Sequence, residues 1–274
     1  MEAIISVTNV ARGVGKTATA VHLAAEWALR GFETLLVDAD PQAEATALLV
    51  GEECGRLSVA DALRAYEPIE HGRDDGAPLV GLSDVLAPTE LARLWLAPSS
   101  IALAATEGDD SPCIAGALHT QLAALSARFD FAVIDTPPSL GPLAAACLSA
   151  STHLLVPVAP RTQGVAGLRC LSDAFGDMPC AAEGERAELL GVVCNLFDPR
   201  ERSAGEFYEG IKRLWGGGVF ETIIHRDAFV EGCAGWPVQL YAPSSVASGL
   251  YAELADEVLA RLSDASAVAG AHAA

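Results

Sequence analysis

The stretch "NVARGVGKT" (residues 9–17) gathers the residue types that hold phosphate. Gly13 and Gly15 allow a tight turn in which backbone N–H groups converge, with the amides of Val14 and Ala18 beside them. Lys16 supplies a cation for β/γ-phosphate charge, and the Thr17 hydroxyl suits Mg²⁺. The pattern G-x₄-G-K-[ST] calls for a glycine at position 10, where this chain has Val10. Carboxylates recur at the ends of two apolar runs: Asp38 and Asp40 in "LLVDADPQ", and Asp135 in "FDFAVIDTPPS". A buried strand ending in a carboxylate needs a partner for that charge, and Mg²⁺ or its bound waters would provide one. The competing reading is structural: G-K-T as an ordinary strand-to-helix turn, and the aspartates as helix caps.

The elements that must position these groups are legible as short, continuous apolar runs at 3–8, 34–39, 93–98, 131–136, 153–159 and 189–195. Strands apolar on both faces, separated by helical stretches, predict a doubly wound, mostly parallel α/β sheet with helices on each side. In such sheets ligands bind at the carboxyl ends of the strands, where the glycine loop and the aspartates fall. "TATAVHLAAEWALRG" predicts a helix after the loop, closed by Gly31 at C′. Residues 66–90 turn to Glu, Asp, Gly, Pro and His and read as a surface excursion. A last helix is expected over 244–262, making 1–262 one domain and 263–274 a frayed, flexible tail.

The formal charge of −19 and sequence pI near 4.5 argue against a generally basic surface, so contact with nucleic acid would need a local patch. "DPRERSAGEFYEGIKRLW" (198–215) is the candidate, with Arg200, Arg202, Lys212 and Arg213; the alternative is ion pairing with Glu201, Glu206 and Glu209 on a solvated helix. The seven cysteines lack any C-x-x-C pair and mostly sit in apolar runs, which reads as reduced core residues in a cytoplasmic protein. No export signal or membrane span is read from the sequence. Lysine occurs only as Lys16 and Lys212 against fifteen arginines, so Lys16 is a rare residue type placed inside a glycine loop.

Taken in order, "ARGVGKT", "VDADPQAEAT", "FDFAVIDTPPSLGPL", "LLVPVAP", "GVVCNLFDPR" and "VFETIIHRD" resemble the ParA/MinD family of deviant Walker-A ATPases over nearly the whole chain. The closer likeness is to the small, Soj-like ParA branch. The resemblance implies a P-loop fold of the SIMIBI type and an ATP cycle with Mg²⁺. In that cycle ATP forms a homodimer, the dimer binds nonspecific DNA, and a stimulating partner or cargo-adaptor protein triggers hydrolysis. It further implies that Lys16 binds phosphate, that Thr17 binds Mg²⁺ with Asp135 as Walker-B carboxylate and Asp38 beside it, that Asp40 positions the attacking water, and that Asn195 reads adenine. A nucleoid-associated location would follow from DNA binding. Membrane attachment is not expected, because the last twelve residues contain no Lys or Arg for a basic amphipathic helix.

Family members commonly read K-G-G-V-G-K-T, so Val10 is ordinary for them, but Ala11 stands where their signature lysine does and Arg12 replaces a glycine. That lysine crosses the dimer interface to the partner's phosphates. Three explanations stay open: Arg12 acts in its place, a cation elsewhere such as Arg161 does, or nucleotide is bound and hydrolysed poorly. The carboxysome-positioning, McdA-like members also lack it. The functions in contention are a positioning ATPase, a nucleotide-gated switch with little turnover, and a P-loop metabolic enzyme.

Overall fold

The computed structural model describes residues 1–51, 57–64, 80–108, 112–160, 187–228, 230 and 237–272. In chain order the elements are β1 (Ala3–Val7), α1 (Lys16–Leu29), β2 (Thr34–Asp38), α2 (Glu44–Val50), α3 (Val59–Arg64), α4 (Leu82–Val85), β3 (Ala87–Pro88) and β4 (Leu94–Ala97). A 3₁₀ segment (Ile101–Gly108) leads to α5 (Pro112–Ala124), β5 (Phe131–Asp135), α6 (Pro142–Ala150), β6 (His153–Val158) and β7 (Glu188–Phe197). The chain then forms α7 (Arg202–Trp215), β8 (Val219–His225), α8 (Val238–Tyr241) and α9 (Val246–His272).

The eight strands form one sheet in the order β3-β4-β2-β5-β1-β6-β7-β8, parallel except where β3 meets β4. β1 is central, and the chain runs outward from it in both directions, which makes the end of β1 the switch point of the sheet. Alternate residues point to opposite faces. Ile5, Val7, Leu36 and Val133 pack under α1 and α9, while Leu35, Val37, Ala132 and Ile134 pack under α3, α5 and α6. Both faces are dry, which explains the unbroken apolar runs in the sequence. On the first face Trp27 of α1 is fully buried, its ring 4.5 Å from that of Phe131. Helix α1 stops at Gly31 as expected: φ is 98° and its N–H donates to the Ala28 carbonyl at 3.0 Å.

All six anticipated strands are present. β8 is absent from that set because it is an edge strand with Glu221 exposed, whereas a search for continuous apolar runs finds strands covered on both faces. Most of the 66–90 excursion lies outside the described residues, but its end carries α4 and β3. The final helix, α9, runs on through 263–272 to His272, where alanine-rich sequence favours helix. Among the described residues no helix is long and apolar enough to cross a membrane. Cys147 and Cys194 are free and buried; positions 54, 170, 180 and 233 lie outside the described residues.

Candidate nucleotide-binding site

The loop that leaves β1 is tied first to β6: Thr8 N–H donates to Leu155 O at 3.0 Å, and Asn9 Nδ2 to Pro157 O at 2.9 Å. Asn9 Oδ1 then accepts Ala11 N–H at 2.9 Å, turning the chain across the end of the sheet. Gly13 (φ 68°) and Gly15 (φ 82°) hold left-handed conformations, and Gly15 is the N-cap of α1. Gly15 is needed for a second reason, since a Cβ there would overlap the Asn195 amide. Asn195 Nδ2 faces Val14 O (3.1 Å), Gly15 O (3.3 Å) and Thr19 Oγ1 (3.2 Å), while its Oδ1 accepts Leu196 N–H at 2.8 Å. In this conformation Asn195 is buried and its polar atoms serve the shape of the loop; nothing in the geometry aims them at a base.

Lys16 is buried at the first position of α1, its Nζ donating to Ala11 O at 3.1 Å. Burial lowers its pKa, the Arg12 charge acts in the same direction, and Asp135 and Asp40 oppose them. Thr17 and Ala18 follow, partly exposed, and Val14 is buried beneath the loop. Arg12 is exposed at the loop's outer side with no ion pair among the described residues, while Arg161 lies outside them.

The ends of β2 and β5 bring two carboxylates side by side, with Asp38 and Asp135 in direct register. Both are fully buried. Asp38 is well served: its Oδ2 accepts Thr46 N–H (2.8 Å) and Thr46 Oγ1–H (2.7 Å), and its Oδ1 accepts Asp40 N–H (3.2 Å). Burial still pushes its pKa up to about 6. Among the described residues Asp135 has no hydrogen-bond partner on either oxygen. Burial, then the Asp38 charge, raise its pKa well above the usual carboxylate range; the Thr17 hydroxyl lies close enough to favour the ionised form without closing a hydrogen bond. An orphaned, desolvated carboxylate beside a glycine loop is an arrangement that a hard cation completes, and the Thr17 hydroxyl, Asp135 and the neighbouring Asp38 fit Mg²⁺, which takes few protein ligands alongside phosphate oxygens and water. Among the described residues no three His, Cys, Asp or Glu side chains cluster as a self-sufficient metal cage.

Asp40 sits at the mouth, half-buried, its Oδ1 accepting Gln42 N–H at 2.9 Å. The turn it begins ends at Ala43, which holds a left-handed φ of 54° and caps α2. Residues that the sequence does not single out complete the edge. Thr46 binds Asp38, Ser99 binds both Thr46 and the Asp40 carbonyl, and Glu107 Oε1 accepts Ser139 Oγ–H at 3.0 Å beside the N-terminus of α6. Their common signal is position, since Ser99 and Ser139 follow the ends of strands whose neighbours carry the aspartates.

The basic segment is differently built. Arg200 pairs with Asp198 through Nε (2.8 Å) and Nη2 (2.6 Å), Arg202 with Glu206 (3.0 Å), and Lys212 with Glu221 (2.6 Å). Only Glu206 among these partners was expected, since Asp198 precedes α7 and Glu221 belongs to β8. Arg213 alone of the four is exposed without an ion pair among the described residues. Three of the four cations offered for DNA are therefore neutralised locally.

A mostly parallel sheet whose central strand runs through a glycine loop into a helix, with buried carboxylates ending the next two strands on one side, defines a P-loop nucleotide-binding domain. An AAA domain family model matches residues 2–179. The sporulation initiation inhibitor protein Soj of Bacillus subtilis is 32% identical over 266 residues, covering 95% of this chain and 99% of Soj. The chromosome partitioning protein ParA of Myxococcus xanthus is 30% identical over 94% of this chain and 88% of its own length. Among solved structures, cobyrinic acid a,c-diamide synthase of Mycobacterium smegmatis with bound ADP and magnesium superposes with a TM-score of 0.77 at 26% identity, covering 94% of each chain. An ATP complex of a Cyanothece McdA variant has a TM-score of 0.78 at 20% identity, covering 94% of this chain and 96% of that one, which speaks to fold alone. The chain belongs to the ParA/MinD family of P-loop ATPases, with Soj and ParA among its relatives.

Proposed function

We propose that this protein binds and slowly hydrolyses ATP with Mg²⁺, dimerises when ATP is bound, and uses the dimer to position a cargo on nonspecific DNA under the control of a stimulating partner. The reading rests above all on Asp135, whose buried carboxylate has no hydrogen-bond partner among the described residues and lies beside the loop that presents Lys16 and Thr17. The backbone amides from Gly13 to Ala18 take the phosphates, and Lys16 exchanges its bond to Ala11 O for β/γ-phosphate. Thr17 and Asp135, with Asp38 behind, hold Mg²⁺, which when bound neutralises charge on the phosphate oxygens. Asp40 orients the attacking water from the mouth. Arg12, exposed and one residue from the missing lysine at Ala11, reaches phosphate across a dimer interface, where its planar guanidinium suits bidentate contact. Asn195 fixes the phosphate loop in the nucleotide-free protein and in such a cycle would turn from it to meet adenine when ATP binds. Location in the cytoplasm, on the nucleoid, follows from this reading.

The test is solution mass with ADP, with ATP and Mg²⁺, and with nonspecific DNA added. A dimer that forms only with ATP and retains DNA supports the proposal; a monomer in every condition overturns it. Asp40→Ala should keep ATP and trap the dimer, and Arg12→Ala should weaken dimerisation. Charge reversal at Arg213 should reduce DNA retention more than reversal at Arg202, which already has a partner. The loss of the lysine at Ala11 favours one second reading, a nucleotide-gated switch with little turnover. ATP-dependent dimerisation without phosphate release would select it, whereas phosphate release that requires a small carboxylic acid would point to a metabolic enzyme.

A further inference from the structure

We infer that Ser99, on the loop after β4, is a positioning residue for hydrolysis: it clamps the turn that carries Asp40 to the end of a neighbouring strand. The inference rests on the assignment of Asp40 to the attacking water. Ser99 is buried and its two polar groups point in different directions. Its N–H donates to Thr46 Oγ1 at 2.8 Å, and its Oγ–H donates to the Asp40 carbonyl at 2.6 Å. Thr46 Oγ1 passes its own hydrogen to Asp38 Oδ2 at 2.7 Å, and Asp38 Oδ1 accepts the Asp40 N–H at 3.2 Å. The circuit closes on itself: both backbone polar groups of Asp40 are held, one from the end of β2 and one from the loop after β4.

The consequence lies in what remains free. Asp40 Oδ1 is engaged by Gln42 N–H, so the other oxygen can face the site only if the backbone beneath it stays in place. That turn has little support of its own. It closes through one backbone hydrogen bond, Ala43 N–H to Asp40 O at 2.9 Å, besides the Gln42 N–H bond to the Asp40 side chain, and it ends on a non-glycine residue at positive φ, which costs on the order of 1 kcal/mol. Ser99 gives the same carbonyl a second donor from outside the turn. A network in which each member is satisfied resists displacement more than its bonds taken singly. Ser99 therefore acts through Asp40 and touches no substrate.

The test compares Ser99→Ala, Ser99→Thr and Asp40→Ala in steady-state ATP hydrolysis, with ATP affinity measured separately and amide hydrogen exchange followed over residues 40–43. Ser99→Ala should lower kcat about tenfold, the effect of roughly one hydrogen bond to a reacting group's support, with KM and ATP affinity held within about twofold. Ser99→Thr, which keeps the hydroxyl, should recover most of that loss, and exchange at 40–43 should quicken in the alanine variant only. A merely structural role would lower thermal stability without dividing kcat from KM. Wild-type kcat in Ser99→Ala, together with a damaged Asp40→Ala, overturns the inference while sparing Asp40. Wild-type turnover in Asp40→Ala overturns the assignment of Asp40 itself, and the exchange result then decides separately whether Ser99 holds the turn; unchanged exchange overturns that as well.

Discussion

The carboxyl edge of β1, β2 and β5 and the α7–β8 edge carry comparable numbers of charged groups arranged on opposite principles. At the first, Lys16, Asp38 and Asp135 are buried, and among the described residues Asp135 has no hydrogen-bond partner. At the second, Arg200, Arg202 and Lys212 lie near solvent and each is matched by a nearby carboxylate. Desolvation is the deciding quantity. A charge in water loses little by standing alone and gains little by pairing, whereas a buried charge without a partner costs several kcal/mol and persists only where something else supplies the partner. Pairing on the surface therefore says little about function, and its absence in the interior says a great deal.

That contrast can be broken most severely at Lys16. Lys16→Ala should reduce ATP affinity by at least about a hundredfold in calorimetry, as expected for removing one partner of a buried charge contact. Retained affinity would mean the buried lysine serves the fold.

Acid should act next, through His22 in the same helix. His22 Nδ1 faces Ala18 O at 2.6 Å, and its Nε2 accepts Val238 N–H at 3.1 Å, so the ring is held neutral. Burial lowers its pKa to about 4, against the partial opposition of Ala18. The unfolded chain binds the proton first as pH falls from the ordinary value of 6.5. This contribution to stability is therefore complete above about pH 6.5 and is lost as pH drops towards 4, amounting to about 3 kcal/mol. Denaturant midpoints from pH 7 to 4 should fall more steeply for the wild type than for His22→Gln.

A smaller effect of opposite sign is expected at Asp135. Asp135→Asn removes a carboxyl group that burial makes costly to ionise and should stabilise the nucleotide-free protein by about 1–2 kcal/mol, while abolishing the further rise in Tm that Mg²⁺ and ATP give the wild type. A destabilised variant would show that the nearby Lys16 charge already compensates the carboxylate. The smallest effect belongs to the other edge: Arg202→Ala should move Tm by less than about 2 °C, because an exposed i,i+4 pair contributes little.

The glycine loop, the six strands covered on both faces and the closing Gly31 were legible because each depends on local chemistry: backbone freedom at Gly13 and Gly15, or apolar residues in unbroken runs. β8 was not, since an edge strand need satisfy only one face. The helical course of 263–272 was hidden for a different reason, as alanine-rich sequence reads as featureless although it favours helix. The contact of the Asn195 amide with Val14 and Gly15, some 180 residues away in sequence, has no local signature.

The sequence by itself determined which groups reach the working edge, because apolar runs fix the strands and the strand ends fix Lys16, Asp38, Asp40 and Asp135. Which of those charges has a partner was decided by tertiary structure alone. Thr46 satisfies Asp38, no hydrogen bond among the described residues satisfies Asp135, and Ser99 reaches Asp40 from a loop that lies far from it in the chain. The physical reason is that strand formation and backbone freedom at glycine follow from residues near in sequence, whereas desolvation and hydrogen-bond satisfaction depend on whatever the folded sheet brings alongside.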